Sequence, residues 1–195
     1  MTSINPEHKT ETGGIVSFDD EQLQLVSEND EVIGYRSKEE CHDGEGILHR
    51  AFSIFIFNAD GELLLQRRSG DKRLWPMYWS NTVCSHPRKG EEMEEAIQRR
   101  LREEFGFSTE LTFLYKFQYH ARYGEEGSER EICSVYAGRY DGNPQPNEHE
   151  IAEWRTISPQ QLEQEMDEYP DRFTPWFQME WRRIRDDYMD LIEDL

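Results

Sequence analysis

Short apolar segments separated by turn residues run through the first two thirds of the chain. The segment Phe52–Phe57 (FSIFIF) has almost no polar position, which predicts a strand buried on both faces. The tetrapeptide NADG at residues 58–61 predicts a hairpin turn after it. Similar patterns predict strands at Gln22–Ser27, Val32–Tyr35, Leu63–Gln66, Thr112–Tyr119 and Glu129–Tyr136, one on or near Trp154, and an aromatic-rich loop at Lys72–Asn81.

Helical patterns flank these strands. One helix is predicted from about Glu91 to Glu104, ending at the C-cap residue Gly106. Two others are predicted at Ser158–Met166 and Pro175–Asp194, and a helical turn at Ser37–Cys41. Strands in the middle with helices outside indicate an α+β fold, a mixed β-sheet sandwich flanked by helices. Residues 1–20 are predicted to be a flexible polar tail that activity does not need, and residues 21–195 a single domain.

The helix predicted over Glu91–Glu104 carries two charges on its apolar face. At helical spacing this face consists of Met93, Ala96, Ile97, Arg100, Leu101 and Glu104. A buried unpaired charge is costly, so Arg100 and Glu104 must be paired, bind a metal or face a cleft. A partly exposed i,i+4 ion pair is the alternative that spacing leaves open.

The charge balance narrows the possible partners. The chain has 22 basic and 41 acidic residues and a net charge of −19, which argues against binding nucleic acid or anionic membranes. Nine of the 22 bases lie between Arg67 and Arg102, so a cationic pocket that suits a small anionic ligand can exist inside an acidic protein. Three cysteines do not predict a disulfide framework. No run approaches membrane-span length and the first residues lack a signal-peptide pattern, so we expect a soluble, cytoplasmic protein.

The segment RRLREEFGF, with Glu91 upstream, resembles the Nudix box, a metal-binding loop–helix–loop for diphosphate substrates. Aligned on Glu104 and Gly106, the box places its acids on Glu91, Glu103 and Glu104, and its arginine on Arg99. Two positions depart from it: Ser85 replaces a glycine and Arg100 replaces a glutamate. The second change removes a carboxylate that hydrolysing members use, which weakens the case for hydrolysis.

Three further motifs change the expected reaction. WSNTVCSHP, HRAFSIFIFN and EREICSVY together resemble type I isopentenyl diphosphate isomerase, a Nudix-fold family, over roughly Val32 to Arg183. The resemblance implies a 1,3-allylic proton shift between isopentenyl and dimethylallyl diphosphate, in isoprenoid biosynthesis, without flavin. It also implies a small diphosphate substrate and a monomer or weak dimer.

The resemblance assigns two metal sites. Glu129 and Glu131 lie two apart on a predicted strand, so their carboxylates project from one face. Together with three histidines they match the family's ligands for a second divalent metal, Mn²⁺ or Zn²⁺, with Fe²⁺ also suited to such ligands. These ligands are His42, His49, His86, Glu129 and Glu131. Glu104 and the backbone of Cys84 match the Mg²⁺ site.

The resemblance also assigns substrate and catalytic positions. Arg68, Lys72 and Arg100 match bases that bind the diphosphate. Cys84 and Glu131 match the catalytic acid–base pair, which exchanges roles with the direction of reaction. Tyr119 matches the hydroxyl that assists Glu131, and Trp176 the aromatic that closes over the allylic group. Outside these positions, Cys133 is expected to be a core thiol and Trp75 to pack beneath the Cys84 loop. Trp79 is expected either to pack beneath the same loop or to take part in the pocket.

Three rival functions remain open. A Nudix hydrolase is disfavoured by Arg100 and by the presence of Cys84, His86 and Glu131, which hydrolysis does not need. A catalytically silent Nudix-fold binding module requires decay of the acid–base pair, whereas the matched positions are occupied. A small anionic metalloprotein without diphosphate chemistry is the third alternative.

Overall fold

The computed structural model describes residues 13–195. Its strands are β1 (Gln22–Val26), β2 (Val32–Ser37), β3 (His49–Phe57), β4 (Leu63–Arg68), β5 (Trp79–Ser80), β6 (Val83–Ser85), β7 (Leu111–Tyr123), β8 (Gly127–Arg139) and β9 (Ile151–Ile157). Its helices are α1 (Lys38–His42), α2 (Met93–Phe105), α3 (Pro159–Glu168), α4 (Pro175–Asp187) and α5 (Met189–Glu193), with a 3₁₀ turn at Pro170–Arg172. No helix within this range is both long and apolar enough to cross a membrane.

Strand β3 organises a mixed sheet. It pairs antiparallel with β1, β4 and β6, and parallel with β8. β8 pairs on its other side with β7, while β4 pairs with β5 and β9 and β1 with β2. The buried run Phe52–Phe57 is therefore central, as its sequence predicts.

The two faces of β3 lie in different cores. Phe52, Ile54 and Ile56 pack in a cluster with the apolar side of α2. Ala51, Phe55 and Phe57 pack in a second cluster with residues of α3, α4 and α5. A strand covered on both faces needs apolar side chains at almost every position, which explains its composition. The predicted α+β class, a mixed sheet flanked by helices, is confirmed.

Several element boundaries differ from the prediction. β5 lies inside the predicted loop at residues 72–81, and β6 follows it; both are too short for a periodic pattern and exist through pairing with β4 and β3. β7 and β8 are 13 residues long each because they also pair at their polar ends. The predicted helix at residues 175–194 is interrupted at Tyr188, whose φ is −130° and ψ 0°.

The N-terminal segment contacts the domain. Residues 1–12 of the predicted tail lie outside the described residues, but residues 13–20 do not. The carbonyl oxygen of Val16 accepts hydrogen bonds from Arg88 Nη2 at 2.9 Å and Arg100 Nη1 at 3.3 Å. Ser17 Oγ accepts a hydrogen bond from Lys38 Nζ. The predicted tail thus includes residues that contact side chains near the candidate site.

Candidate active site

A cavity of about 280 Å³ is lined by side chains from α1, α2, α4, β4, β6, β7 and β8. Two clusters of polar side chains border this cavity. We call His42, His49, His86, Glu129 and Glu131 the histidine cluster. We call Lys38, Lys72, Arg100, Glu104 and Glu150 the ion-pair cluster. Cys84, Tyr119, Arg68 and Trp176 also line the cavity.

Strand register builds the histidine cluster around Glu131. Parallel pairing of β3 with β8 places His49 beside Glu131, and antiparallel pairing of β7 with β8 places Tyr119 on its other side. Glu129 lies two residues earlier on β8, so both carboxylates project from the same face of the sheet. The metal ligands that the resemblance assigns are therefore brought together by the central strands.

Helix α1 delivers His42 to the same place. Its first turn is fixed by a capping box, in which Ser37 Oγ accepts from Glu40 N and Glu40 Oε2 from Ser37 N. Gly127, at the start of β8, has φ +152°, and an added Cβ would lie 2.3 Å from the His42 carbonyl oxygen. Only glycine allows this approach of α1 to β8, which brings His42 Nε2 to 2.7 Å from Glu129 Oε2.

The donor atoms of the histidine cluster converge. One potential ligand atom from each of the five residues lies within 4.8 Å of the others. His42 Nδ1 and His49 Nδ1 contact the carbonyl oxygens of Lys38 and Ile47 at 2.6 and 2.7 Å. These contacts place a proton on Nδ1 of both rings, so Nε2 is the ring atom that would bind a cation. Burial lowers the pKa of His42, but Glu129 outweighs burial and raises it, so a cation there would displace a proton.

The histidine cluster fits a divalent metal ion. His49 Nε2 is buried 3.5 Å from Glu131 Oε1, and Glu129 Oε2 is buried 2.7 Å from His42 Nε2. Burial, and then the neighbouring His49 and His42, holds the pKa of His86 well below its usual range, so this imidazole is neutral as a ligand must be. With only the Nδ1 proton on the rings of His42 and His49, each Nε2 faces a carboxylate oxygen with no proton between them, and a bound cation would satisfy both atoms of each pair. The cluster can therefore bind a metal ion.

A thiol and a carboxylate–phenol pair line the cavity next to this cluster. Tyr119 Oη donates a hydrogen bond to Glu131 Oε2 at 2.6 Å. Burial favours protonation of Glu131, but its contacts with His49 and Tyr119 outweigh burial and lower the pKa of the carboxyl. Burial raises the pKa of the Cys84 thiol to about 12, against the opposing charge of Arg68. The cavity thus offers a protonated thiol and an ionised carboxylate.

An aromatic wall encloses this region. Trp176, at the start of α4, lies 6.3 Å from Tyr119 and 5.2 Å from Trp75, measured between ring centroids. The guanidinium of Arg68 lies 5.3 Å from the Trp176 ring and 3.6 Å from Cys84 Sγ. Faces of aromatic rings attract cations, so a positive charge that develops here would be stabilised without a nucleophile to trap it.

The ion-pair cluster combines three bases with two acids. Arg100 Nη2 donates to Glu104 Oε1 at 2.5 Å and to Glu150 Oε2 at 2.8 Å, and Lys72 Nζ also contacts Glu150 Oε2. Gln66 Nε2 donates to Glu104 Oε2 at 2.9 Å. Arg100 and Glu104 are 3% and 2% exposed, so the i,i+4 pair left open by the sequence exists but is buried beside the cavity.

The chain also belongs to a known domain family. Residues 47–177 match the NUDIX domain. The isopentenyl-diphosphate Delta-isomerase 1 of Photorhabdus laumondii is 40% identical over 172 residues, which are 87% of this chain and 98% of that protein. The isopentenyl-diphosphate Delta-isomerase of Serratia proteamaculans is 45% identical over 158 residues, 81% of this chain and 88% of that protein.

The chain belongs to the isopentenyl-diphosphate Delta-isomerase family of Nudix proteins. Solved structures agree on its fold. Protein DR0079 of Deinococcus radiodurans has a TM-score of 0.64 and 27% identity over 76% of this chain and 90% of its own. A MutT protein of Methanosarcina mazei has a TM-score of 0.59 at 19% identity, over 73% and 96%. The family and fold predicted from the motifs are confirmed.

This member of the isomerase family uses its other Nudix-box acids for ion pairs. Glu91 Oε1 and Oε2 accept from Arg99 at 2.6 and 2.8 Å, and Glu103 Oε2 accepts from Arg99 at 2.9 Å and Arg100 at 3.2 Å. Glu104 alone among the three box acids is nearly inaccessible and beside the cavity. None of the three acids lines the cavity itself; Glu104 lies behind Arg100, which does.

Two tryptophans and one cysteine outside the assigned positions are all packed against neighbouring side chains. Trp75 is buried and packs on Trp176, whereas Trp79 lies under the guanidinium of Arg155 at 4.5 Å. Cys133 is buried, with its Sγ 3.5 Å from Ser53 Oγ and 3.6 Å from Glu180 Oε1, and does not line the cavity. Thus Cys133 is a buried thiol, and Trp79 packs outside the cavity.

Sequence reasoning missed Lys38 and Glu150, which both border the cavity of this family member. Burial, and then repulsion by Lys72 and Arg100, lowers the pKa of Lys38 to about 8. Glu150 is 3% exposed and holds two bases. Lys38 precedes His42 by one helical turn, which was a usable signal, whereas nothing in the sequence around Glu150 relates it to residues 72 and 100.

Proposed function

We propose that the protein interconverts isopentenyl diphosphate and dimethylallyl diphosphate by a 1,3-allylic proton shift, in isoprenoid biosynthesis. The observation that carries the proposal is the meeting, in one cavity, of a thiol and an ionised carboxylate with bases suited to a diphosphate. The family membership of the chain supports it.

The acid and base of the reaction are Cys84 and Glu131. One proton is added to the terminal methylene carbon of isopentenyl diphosphate, and one is removed from the carbon next to the oxygen-bearing carbon. The charge between these events resides on the tertiary carbon, where the face of Trp176 stabilises it. With a proton on the Cys84 thiol and none on Glu131, the pair holds one acid and one base. Their roles exchange in the reverse reaction.

Tyr119 is assigned to proton transfer at Glu131. Its hydroxyl donates to Glu131 Oε2 at 2.6 Å. Burial and the charge of Glu131 raise the pKa of Tyr119 well above its usual range, so the phenol keeps its proton while it orients the carboxylate. The hydroxyl thus fixes which oxygen of Glu131 can take up or release a proton.

Bases around the cavity bind the diphosphate. We assign this role to Arg68, Lys72 and Arg100, and add Lys38, the first residue of α1, which donates to Ser17 in the N-terminal segment. Arginine can hold two phosphate oxygens at once, and lysine contributes a mobile point charge.

Two metal ions complete the proposed site. The histidine cluster would hold a divalent ion such as Mn²⁺ or Zn²⁺, which when bound lowers the proton affinity of Glu131. Glu104 and the backbone of Cys84 would hold Mg²⁺, which when bound neutralises phosphate charge and keeps several of its waters. In this structure both oxygens of Glu104 accept hydrogen bonds, from Arg100 and Gln66, so the ion would replace one of these contacts when it arrives with the diphosphate.

Nuclear magnetic resonance of isopentenyl diphosphate with the protein and Mg²⁺ in D₂O tests the proposal. The expected result is dimethylallyl diphosphate that carries deuterium, formed by the wild type and not by Cys84→Ala. Released phosphate or pyrophosphate would instead establish a hydrolase. If the substrate bound and stayed unchanged in the wild type with both metals supplied, the protein would be a binding module.

A further inference from the structure

Glu150 is a fixed anion in the ion-pair cluster, to which neither the motifs nor the family comparison gives a role. Its Oε2 accepts from Arg100 Nη2 at 2.8 Å and from Lys72 Nζ. The residue is 3% exposed, so solvent screens these ion pairs little. Burial favours its protonation, but Arg100 and Lys72 outweigh burial and hold the pKa of Glu150 below its usual range.

The backbone around Glu150 is fixed to α2. The loop before β9 donates from Gln145 N to the Phe105 carbonyl at 2.8 Å and from Asn147 N to the Glu104 carbonyl at 2.8 Å. Glu150 N donates to the Asn147 carbonyl at 3.0 Å, closing a turn. The carboxylate therefore has a defined position opposite the last turns of α2, where Arg100 lies.

One carboxylate oxygen holds two cations close together. Both bonded nitrogens are within hydrogen-bond distance of Glu150 Oε2, so the two charges are within about 5 Å of each other. Like charges this close repel each other strongly where solvent screens them little. Without the carboxylate, the lysine, which has a flexible stem, would move away from the cavity.

Glu150 also gives Arg100 a second anion. Arg100 Nη2 bonds to Glu104 as well, and Glu104 is the carboxylate assigned to Mg²⁺. A guanidinium and a metal ion compete for the same carboxylate. With Glu150 present, Arg100 keeps a partner when Glu104 binds the metal, and the summed negative charge of the two acids favours the cation.

We propose that Glu150 is a positioning residue that holds Lys72 and Arg100 at the cavity and keeps a partner for Arg100 when Glu104, now hydrogen-bonded to Arg100 and Gln66, binds Mg²⁺. The inference rests on the proposed function only in taking a magnesium diphosphate as the ligand. Loss of the anion weakens magnesium binding for two reasons: Arg100 turns fully to Glu104, and the local positive charge rises.

Titration calorimetry of inorganic diphosphate into the full-length protein, at a series of Mg²⁺ concentrations, tests the proposal without turnover. In Glu150→Gln, we expect the Mg²⁺ concentration that gives half-maximal diphosphate affinity to rise about 10-fold to 100-fold, the range for one hydrogen bond between charged groups. Glu153→Gln is the matched control, because Glu153 lies three residues later and pairs with Arg67 at the surface. It should leave the Mg²⁺ requirement unchanged.

Glu150→Asp keeps the charge on a shorter side chain and is expected to fall between the wild type and Glu150→Gln. Glu150→Asp also replaces Glu150→Gln as the test variant if Glu150→Gln does not fold, which thermal unfolding would reveal. An unchanged or lower Mg²⁺ requirement in folded Glu150→Gln, or in folded Glu150→Asp if Glu150→Gln does not fold, would overturn the proposal. Because the probe is inorganic diphosphate, a protein that shows the expected shifts but does not isomerise isopentenyl diphosphate would refute the proposed function alone.

Discussion

Glu180 carries a buried proton whose effect on stability can be measured. Its carboxyl is 1% exposed on α4, one helical turn after Trp176. Its neighbours are the uncharged Ser53 and Cys133, its Oε2 forms no hydrogen bond with the described residues, and the charge of Glu131 repels an anion there. Burial raises the pKa of Glu180 to about 8.

The size of the effect of Glu180 on the free energy of unfolding follows from the linkage between folding and proton binding. The ordinary pKa of this carboxyl is 4.5, so between pH 4.5 and about 8 the unfolded chain is ionised while the folded protein keeps the proton. Stability is therefore fully present below the ordinary pKa and is lost as pH rises. The loss is about 1.4 kcal/mol per pH unit, or about 5 kcal/mol in total.

Glu180→Gln removes this dependence while keeping shape and hydrogen-bonding capacity. The free energy of unfolding would be measured by urea denaturation at pH 5 and pH 9 for the wild type and the variant. We expect the variant to gain about 4 kcal/mol relative to the wild type between these pH values. Glu163→Gln, on the more accessible α3, is the control. If the difference between Glu180→Gln and the wild type does not change with pH, the carboxyl is not a buried acid.

Three further changes test the site. Tyr119→Phe removes the hydroxyl at Glu131 and should lower kcat roughly 10²-fold with little change in KM, measured by steady-state isomerisation. Chelation of the metal bound by the histidine cluster should lower the Tm by about 5–10 °C, because a ligand present at 100 times its Kd stabilises the folded protein by about 3 kcal/mol. An unchanged Tm in calorimetry would contradict the cluster as a metal site. Lys38→Met should raise the Kd for inorganic diphosphate about tenfold or more, whereas Lys89→Met, at the surface over Tyr35, should not.

The fold is largely predictable from the sequence because its central strand has a distinctive composition. Phe52–Phe57 is apolar at nearly every position, and only a strand covered on both faces requires that. β5 and β6 were missed because two or three residues carry no period, and their existence depends on pairing with distant strands. The break at Tyr188 was missed because the amphipathic pattern continues through it.

The site was predictable where its residues lie in recognisable motifs. Cys84 and His86 lie in one such segment and Glu129 and Glu131 in another, and strand register then brings them together. Glu150 does not lie in a recognisable motif. Its importance arises from a loop that hydrogen-bonds to α2, a contact between residues far apart in the chain. The same holds for the N-terminal contacts of Val16, which a polar sequence suggests to be dispensable.

The ion pairs of α2 explain how a Nudix box can persist without hydrolysis. Hydrolysis of a diphosphate requires carboxylates that hold metal ions and activate water. Here Glu91 and Glu103 are engaged by Arg99, and the position of a further box acid is Arg100, which itself binds Glu104. The helix therefore retains one acid beside the cavity, sufficient for an ion that accompanies the diphosphate. The groups proposed to react, Cys84 and Glu131, lie elsewhere, on β6 and β8, so in the proposed reaction the box would bind only the part of the substrate that stays intact.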